Sequence, residues 1–410
     1  MKIVYNIVIS ITEKLLWFIG LFNNKIFLGV KGRSKTFSKI NSVIKSNDNC
    51  IWFHCASLGE YEQGLPVFKE IKKLYKNHKI VLTFFSPSGY EIRKNTNVAD
   101  VVTYLPVDTK KNAERWLKIV NPRLTVFVKY DIWPNYLSEL KKRQHRAVLI
   151  SALFRGNQSY FKWYGSFMRD KLFSFEHIFT QDENSKQLLN SINYTNTTVS
   201  GDTRFDRVYS QLEQDNTLNF VSKFKNNHLC FVAGSSWPEG EKIIVDYINN
   251  SLEDIKYIIA PHNIKMAQIN KLKQNISKPA ILYSEKEGKN LREYQVLIVD
   301  NIGLLSKIYN YADITYVGGA VGNTGLHNTL EPAVFGVPII IGEKHKNFPE
   351  AQIMIDNGGM FEISNSNDFK LIMNKLISNT SLLKSIGNKN FNFIKKNTGA
   401  VIQIMDYLRI

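Results

Sequence analysis

The chain has 410 residues with 44% hydrophobic content, which predicts two folded domains and excludes a disordered or collagen-like protein. Its formal net charge of +17 favours an anionic partner, namely nucleic acid, an acidic membrane surface or a phosphorylated substrate, unless a general bias towards lysine explains it. The three cysteines lack metal-ligand spacing and suit a reducing compartment.

The first predicted element is an apolar N-terminal segment with a basic flank. Met1–Asn23 is rich in Ile, Val, Leu, Trp and Phe, but Lys2, Glu13 and Lys14 interrupt it. A transmembrane helix has ~20 mostly apolar residues without central charges, and no secretory cleavage site follows. We therefore expect residues 1–35 to form a monotopic anchor on an anionic membrane surface. The alternative is an ordinary first helix buried on the domain.

Two series of short apolar runs then alternate with helical segments, and each run is typical of a buried parallel strand. The first series comprises Ile51–Ser57, Ile80–Phe85, Val101–Leu105, Leu124–Val128, Ala147–Ser151 and Ile178–Thr180. The second comprises Leu229–Ala233, Tyr257–Ala260, Val296–Val299, Ile314–Val317 and Pro338–Ile341. Two such series predict two doubly wound α/β domains, over residues 36–207 and 208–395.

Ligands of such sheets bind beyond the carboxyl ends of the strands, where Glu60 follows the first strand. A carboxylate there could take a proton from an acceptor hydroxyl. Ser57 and Gly59 precede it, and we expect Gly59 to permit a tight turn. The alternative is that Glu60 only stabilises the first helical turn.

Other polar residues follow further strands of the first domain. Ser86 and Ser88 lie in a segment that could bind phosphate, or could simply cap a helix, and Arg93 follows one turn later. Asp131 places a charge at a strand end facing the presumed cleft. Arg204 could reach a phosphate or pair with a neighbouring aspartate.

The second domain has the most informative segment, which runs from Gly318 to Pro338. Its glycines, Gly318 and Gly319 among them, allow the backbone to approach a ligand closely. We expect His327 and Asn328 at a helix start, where donors suit a phosphate, and Glu331 one turn later, where it can bind ribose hydroxyls. Ser235 and Ser236, after the first strand of this domain, offer further donors. The segment predicts a nucleotide-sugar site.

Taken in order, these motifs resemble the Kdo (3-deoxy-D-manno-oct-2-ulosonic acid) transferases of lipid A biosynthesis. The motifs are His54–Glu60, Thr83–Gly89, Tyr104–Asp108, Asp131–Asn135, Gly201–Asp206 and above all Val317–Pro338. The resemblance implies a GT-B fold, in which two Rossmann-like domains face a central cleft and a C-terminal helix, residues 396–410, crosses back to the first domain.

The resemblance also implies an inverting glycosyltransferase that moves Kdo from CMP-Kdo to a hydroxyl of the lipid A precursor, lipid IVA, in lipopolysaccharide core biosynthesis. Glu60 matches the general base. The acceptor side then holds Ser57, Gly59, Ser86, Ser88, Arg93 and Asp131. The CMP side holds Arg204, Ser235, Ser236, Gly318, Gly319, His327, Asn328 and Glu331. No metal, cofactor or nucleic acid is expected, and the implied location is the cytoplasmic face of the bacterial inner membrane.

Some positions depart from the family pattern. Lys129 and Tyr130 replace an acidic residue and a threonine, Asn263 replaces a residue of a Pro-Arg-His-Pro motif, and Leu304 stands where a glutamate is usual. These departures bear on which residues contact the donor and on how many sugars the enzyme adds.

Two other classes of protein deserve comparison. The sugar-nucleotide 2-epimerases share the expected fold but are soluble and need no basic N-terminal anchor. A basic membrane scaffold or nucleic-acid binder would explain the charge and leave Glu60 and the glycine-rich segment without a role. Fractionation into membrane and soluble protein separates the transferase from the epimerase.

Overall fold

The computed structural model describes residues 1–409, which form two compact units. The first unit contains Met1–Arg207 together with the chain from Thr398 onwards, and the second contains Val208–Asn397. Within the described residues, each unit is built on a parallel sheet of seven strands. The predicted α/β class is therefore confirmed, and each sheet has helices in its connections.

The strands of the first unit are ordered β3-β2-β1-β4-β5-β6-β7, which contains the doubly wound order of a Rossmann fold. Its elements are α1 (Lys2–Gly20), α2 (Asn24–Ser34), α3 (Thr36–Val43), β1 (Cys50–Cys55), α4 (Leu58–Leu74), β2 (Lys79–Phe84), α5 (Pro87–Arg93), β3 (Val101–Tyr104), α6 (Lys110–Val120), β4 (Pro122–Val128), α7 (Pro134–Lys142), β5 (Arg146–Ala152), α8 (Ser166–Leu172), β6 (His177–Thr180), α9 (Glu183–Asn190), β7 (Thr197–Val199) and α10 (Thr203–Tyr209).

The second unit has the strand order β10-β11-β9-β8-β12-β13-β14. Its elements are α11 (Asn219–Lys225), β8 (Cys230–Ser236), α12 (Pro238–Asn250), β9 (Lys256–Pro261), α13 (Met266–Gln274), β10 (Ala280–Leu282), β11 (Val296–Ile298), α14 (Leu305–Ile308), β12 (Ile314–Val317), α15 (Leu330–Ala333), β13 (Ile339–Gly342), α16 (Pro349–Asp356), β14 (Met360–Ile363), α17 (Ser366–Ile377) and α18 (Thr380–Lys396).

The last helix, α19 (Ala400–Leu408), packs within the first unit. Ile404, Met405 and Leu408 are buried in the same apolar cluster as the strand β1. The Tyr75 hydroxyl donates to the carbonyl of Leu408 at 2.8 Å. The C-terminal helix therefore completes the core of the first unit.

Helix α1 is held along the first unit by polar contacts. The Tyr5 hydroxyl donates to Asp108 Oδ2 at 2.7 Å, Asn135 Nδ2 donates to Asn6 Oδ1 at 2.8 Å, and Asn112 Nδ2 donates to the Glu13 carboxylate at 3.0 Å. Less exposed positions recur every three to four residues along this helix, so one face lies against the domain.

Asp108 is the central residue of this attachment. It is fully buried and also accepts from the backbone N–H groups of Asn135 and Tyr136, which begin α7. Burial raises the pKa of Asp108 to about 6, and these hydrogen bonds oppose the rise. One carboxylate therefore joins the N-terminal helix to the start of α7.

The opposite face of α1 is apolar and exposed. Ile7, Ile11, Leu15 and Phe18 are between 50% and 59% exposed. Among residues 1–409, α1 is the one helix whose length and composition would allow it to cross a membrane, which is weak evidence for membrane association.

Candidate functional site

The first unit concentrates polar groups between the ends of β1 and β4, where the strand order of the sheet reverses. Such a reversal opens a crevice at the carboxyl edge of a doubly wound sheet. Glu60 lies in the first turn of α4 and is 7% exposed. Its Oε2 accepts from the Ser57 N–H at 2.7 Å and lies 3.2 Å from Ser57 Oγ. Glu60 therefore does stabilise the helix start, and it does so at the predicted site.

His54 and Asp131 form the second part of this cluster. His54 is fully buried, and its Nδ1 lies 2.8 Å from the hydroxyl of Thr83. Its Nε2 lies 3.1 Å from Asp131 Oδ2, without the alignment of a good hydrogen bond. The Asp131 carboxylate therefore contacts a buried imidazole at the strand ends, and sequence reasoning did not anticipate this partner.

The pKa of Glu60 is raised. The main cause is burial, and the second is the negative charge of Asp131; hydrogen bonds from Ser57 and the proximity of His54 oppose the rise. A carboxylate with a raised pKa is a stronger base at neutral pH. Perturbed groups of this kind cluster at functional sites, so this cluster is our candidate active site.

The other predicted acceptor-side residues lie on the neighbouring loop and helices. Ser86 N–H donates to the carbonyl of Ala56 at 2.7 Å, so the loops after β1 and β2 touch. Ser86 Oγ caps α5 by accepting from the Ser88 N–H at 3.3 Å. Arg93 Nη2 donates to Glu62 at 2.7 Å. The capping alternative for Ser86 and Ser88 is thus realised in the structure, and Arg93 has a carboxylate partner that sequence reasoning did not name.

Gly59 corrects one local expectation. It does not form a tight turn, since it lies within α4, and its φ is outside the positive range. A Cβ at Gly59 would come no closer than 3.9 Å to a neighbouring atom, Ser57 Oγ. The fold therefore tolerates a side chain there, and Gly59 leaves open space beside Glu60.

Arg204 lies in the first unit, whereas the other predicted donor residues lie in the second. Its Nε donates to Asp202 Oδ2 at 2.7 Å, and its backbone N–H donates to Asp202 Oδ1 at 2.9 Å. Gln63, in α4, donates to the same aspartate at 3.3 Å. The arginine thus pairs with Asp202, as the alternative expected. Through Asp202 and Gln63 it lies beside α4, the helix that carries Glu60.

In the second unit, the glycine-rich segment follows β12 and folds onto the end of β8, where this sheet also reverses its order. A Cβ on Gly318 would lie 2.1 Å from the Ser235 carbonyl oxygen. Gly319 has φ +103°, and a Cβ there would lie 1.9 Å from the Gly325 carbonyl oxygen. Side chains are excluded at both positions, because the loop packs closely against the protein's own backbone there.

Ser235 and Ser236 differ in their surroundings. Ser235 has φ +49° at a register shift of β8, a conformation that costs a non-glycine residue free energy. Ser236 is buried, and its hydroxyl donates to Glu241 at 2.8 Å. Ser235 is therefore the strained residue at the strand end, and Ser236 has a partner within the unit.

His327 is a neutral imidazole. Trp237 Nε1–H donates to its Nε2 at 2.9 Å, so this nitrogen has no proton and Nδ1 has one. Burial, and secondarily the nearby His262, lowers the pKa of His327 to about 4. His327 is thus a hydrogen-bond donor and not a cation for a phosphate.

His327 is one of three aromatic rings in contact, with Trp237 and His262. Trp237 stacks on His262 with centroids 4.7 Å apart, and His262 lies 4.3 Å from His327. Sequence reasoning did not assign Trp237 and His262 to the site, although they directly follow β8 and β9 in the structure. They could have been found by inspecting every polar or aromatic residue that follows a strand, since ligands bind at the strand ends of such sheets.

The expected helix start also needs correction. Helix α15 begins at Leu330, with Thr329 as N-cap, and not at His327 or Asn328. Asn328 Oδ1 accepts from the Leu330 N–H at 3.1 Å, and its amide donates to Glu331 at 3.1 Å. Asn328 therefore orients Glu331. No group of three or more metal-binding side chains occurs in residues 1–409.

The sequence of this chain is similar to those of several 3-deoxy-D-manno-octulosonic acid transferases. Residues 30–207 match the family described as 3-deoxy-D-manno-octulosonic-acid transferase (kdotransferase). The 3-deoxy-D-manno-octulosonic acid transferase of Haemophilus influenzae is 24% identical over 377 residues, covering 88% of this chain and 86% of that protein. That of Rickettsia felis is 29% identical over 360 residues, covering 85% and 76%. A bifunctional glycosyltransferase/methyltransferase of Fusobacterium nucleatum is 25% identical over 83% of this chain, which spans 55% of that longer protein.

Solved structures share the fold at low sequence identity. UDP-GlcNAc 2-epimerase from Neisseria meningitidis has a TM-score of 0.60 and 14% identity, with 88% of this chain and 99% of that chain covered. A glycosyltransferase from Rickettsia africae has a TM-score of 0.57 and 14% identity, with 88% and 98% covered. These structures confirm the GT-B fold class. The sequence matches confirm the predicted relationship to the Kdo transferases and the prediction that the chain is a glycosyltransferase.

Proposed function

We propose that this glycosyltransferase, a relative of the Kdo transferases, moves Kdo from CMP-Kdo to a hydroxyl of the lipid A precursor with inversion. The observation that carries the proposal is the relationship to Kdo transferases over most of the chain, together with a buried, basic Glu60 at the switch point of the first sheet. The fold alone does not distinguish a transferase from a 2-epimerase, because a 2-epimerase shares it.

In the proposed reaction, Glu60 accepts the proton of the acceptor hydroxyl. The hydroxyl oxygen forms a bond to the anomeric carbon of Kdo as the bond from that carbon to the phosphate oxygen of CMP breaks. CMP departs with the bonding electrons, and the proton remains on Glu60 until solvent removes it. Burial and the charge of Asp131 make Glu60 more basic for this step.

We assign the CMP moiety to the second unit. The loop at Gly318 and Gly319 and the Nδ1–H of His327 are proposed to contact the phosphate. Glu331, oriented by Asn328, is proposed to bind the ribose hydroxyls. Ser235 and Ser236 complete the proposed donor set of this unit, and we propose that neither a metal nor a cofactor takes part. The donor role expected for Arg204, which lies in the first unit, stays a prediction.

The proposal is tested by measuring CMP release from CMP-Kdo with purified protein. We expect release only when the lipid A precursor is present, since transfer consumes both substrates. A 2-epimerase acting on UDP-N-acetylglucosamine would show turnover without a lipid acceptor. Turnover of that nucleotide sugar, with no acceptor-dependent CMP release, would contradict the proposed transfer.

We propose further that the enzyme works on the cytoplasmic face of the inner membrane, with α1 lying in the interface. Polar contacts hold one face of α1 on the first unit, and the apolar residues of the other face are exposed. The net charge of +17 suits an anionic leaflet. An interfacial helix has this division between a polar and an apolar face.

Charged substitutions on the exposed face of α1 test this placement. We expect Ile7→Asp with Phe18→Asp to weaken binding to phosphatidylglycerol-containing vesicles at least tenfold, because each apolar side chain contributes ~1.5–3 kcal/mol when fully buried. Cosedimentation measures the effect. Leu252→Asp is the matched control, since Leu252 is 98% exposed in the second unit. Unchanged cosedimentation of the double variant would contradict the interfacial placement.

We expect Asp131 to affect the pH at which the transfer activity falls. Transfer needs Glu60 deprotonated, so activity falls as the pH drops through its raised pKa. Asp131→Asn removes the negative charge that contributes to this rise, so the acid limb of kcat/KM should move to lower pH. Asp170→Asn, an exposed carboxylate of the same unit, should leave the limb in place. An acid limb unmoved in Asp131→Asn would show that Asp131 does not tune the base.

A further inference from the structure

A cavity of about 390 Å³ lies in the first unit between α1, α2, the start of α3 and the loop after β3. We propose that it binds one acyl chain of the glycolipid acceptor. This inference rests on the proposed function and extends it, because it assigns a site to the lipid part of the acceptor. The volume falls within the ~300–1,000 Å³ of ligand-binding pockets.

The walls of the cavity are largely apolar. Six of the lining residues are apolar and come from four different parts of the unit: Leu16, Trp17, Val30, Phe37, Pro106 and Val107. Of the polar lining residues, Asn112 donates to Glu13 at 3.0 Å and to the Val107 carbonyl at 2.9 Å. Ser34 Oγ donates to the Lys31 carbonyl at 2.9 Å. Because these polar groups are paired within the protein, the walls suit a hydrocarbon chain better than a hydrogen-bonding ligand.

The cavity adjoins the membrane-facing side of α1. Trp17 lines it and is also 62% exposed, next to the exposed Phe18 on the same helix. A chain that leaves the bilayer beside α1 can therefore enter the cavity along apolar surface. Lys14, exposed and also lining the cavity, places positive charge near the phosphates of a glycolipid.

Arg33 connects the cavity with the proposed acceptor side of the active site. Its guanidinium lines the cavity, donates to the carbonyls of Phe85 and Leu105, and stacks on the Phe85 ring at 4.1 Å. Phe85 directly precedes Ser86, and the loop of Ser86 is bonded to the loop after β1 that leads to Glu60. This continuity is why we assign the cavity to the acceptor and not to a membrane phospholipid.

The test is to fill the cavity and compare acceptors with and without acyl chains. Ser34 is exposed at the end of α2, so Ser34→Trp can place an indole in the cavity without disturbing the core. We expect the KM for the tetraacylated lipid A precursor to rise about tenfold, with kcat and the KM for CMP-Kdo unchanged. The KM for the deacylated disaccharide bisphosphate should not change. Val30→Phe is a second filling variant, to be used if thermal unfolding shows that Ser34→Trp is poorly folded.

Ser38→Trp is the matched control, because Ser38 is exposed on α3 and does not line the cavity. Equal KM values for the acylated acceptor in Ser34→Trp and Ser38→Trp would overturn the acyl site. Weaker vesicle binding by Ser34→Trp, with an unchanged ratio of the two acceptor KM values, would assign the cavity to a membrane phospholipid and also overturn it. If the wild-type protein transfers Kdo to neither acceptor, the proposed function itself fails, and this outcome is distinct from the other two.

Discussion

Replacing Glu60 with glutamine is expected to lower kcat for Kdo transfer about 10²–10⁴-fold, the usual contribution of a positioned general base. The amide oxygen of glutamine can still accept from the Ser57 N–H, whose bond to Glu60 is 2.7 Å long. It cannot take the proton of the acceptor hydroxyl. Binding of CMP should be retained, because Glu60 lies in the first unit and the CMP site is proposed for the second.

The fold of this variant should be intact or slightly more stable. Burial disfavours the charged form of Glu60, as its raised pKa indicates, and the glutamine carries no charge. Glu70→Gln, on the same helix and paired with Lys73, is the control and should retain full activity. Near-normal turnover in Glu60→Gln, with the protein folded and CMP bound, would show that another group is the base.

Removal of the Glu331 side chain should raise the KM for CMP-Kdo about 10- to 100-fold. The physical reason is that a buried ribose hydroxyl would lose its charged acceptor, at a cost of ~1.5–3 kcal/mol. Glu331 lies in the first turn of α15 and receives a hydrogen bond from Asn328 at 3.1 Å. Titration of CMP by calorimetry, together with steady-state kinetics, measures both the binding and the KM.

The control for Glu331→Ala is Glu293→Ala, which removes an exposed carboxylate from the same unit. Both variants should show the same unfolding midpoint, so that a change in CMP affinity is not a change in stability. An unchanged donor KM in Glu331→Ala would refute the ribose role. A loss of kcat alone would place Glu331 in the chemical step instead.

The interior of both sheets could be predicted from the sequence because buried parallel strands are continuous apolar runs. All six residues of Cys50–Cys55 are buried, for example, and the predicted strand there is confirmed. The strands that sequence reasoning missed are at or near the sheet edges, namely Thr197–Val199, Ala280–Leu282 and Met360–Ile363. They are short and partly exposed, so pairing with a neighbour in the fold, and not a local pattern, decides them.

The rule that ligands bind beyond the carboxyl ends of the strands predicted residues of the candidate site from the sequence, but it could not predict their contacts. Asp131 was recognised as a charge at a strand end. Its contact with His54 joins residues from different strands, and only the register of β1 against β4 brings them together. Burial is the main cause of the raised pKa of Glu60, and the charge of Asp131 is the second.

In the glycine-rich segment, too, the sequence predicted the place of the loop but not the contacts of its residues. The sequence indicated a loop that a ligand can approach closely, which stays a prediction. The contacts at Gly318 and Gly319 are with carbonyl oxygens of the protein itself, so glycine is needed there for the packing of the loop. The helix start expected at His327 lies at Leu330 because Asn328 uses its side chain to cap Leu330 N–H. Burial and the nearby His262 lower the pKa of His327, and Trp237 decides which of its nitrogens carries the proton; no local pattern indicates either.

The central claim is that the enzyme adds Kdo to a lipid. The most direct measurement is mass spectrometry of the lipid fraction after purified protein is incubated with CMP-Kdo and the tetraacylated lipid A precursor. We predict a new lipid heavier by one or more Kdo residues with the wild-type protein, and its absence with Glu60→Gln. A wild-type protein that is folded and binds CMP, yet yields no Kdo-containing lipid, would contradict the proposed function.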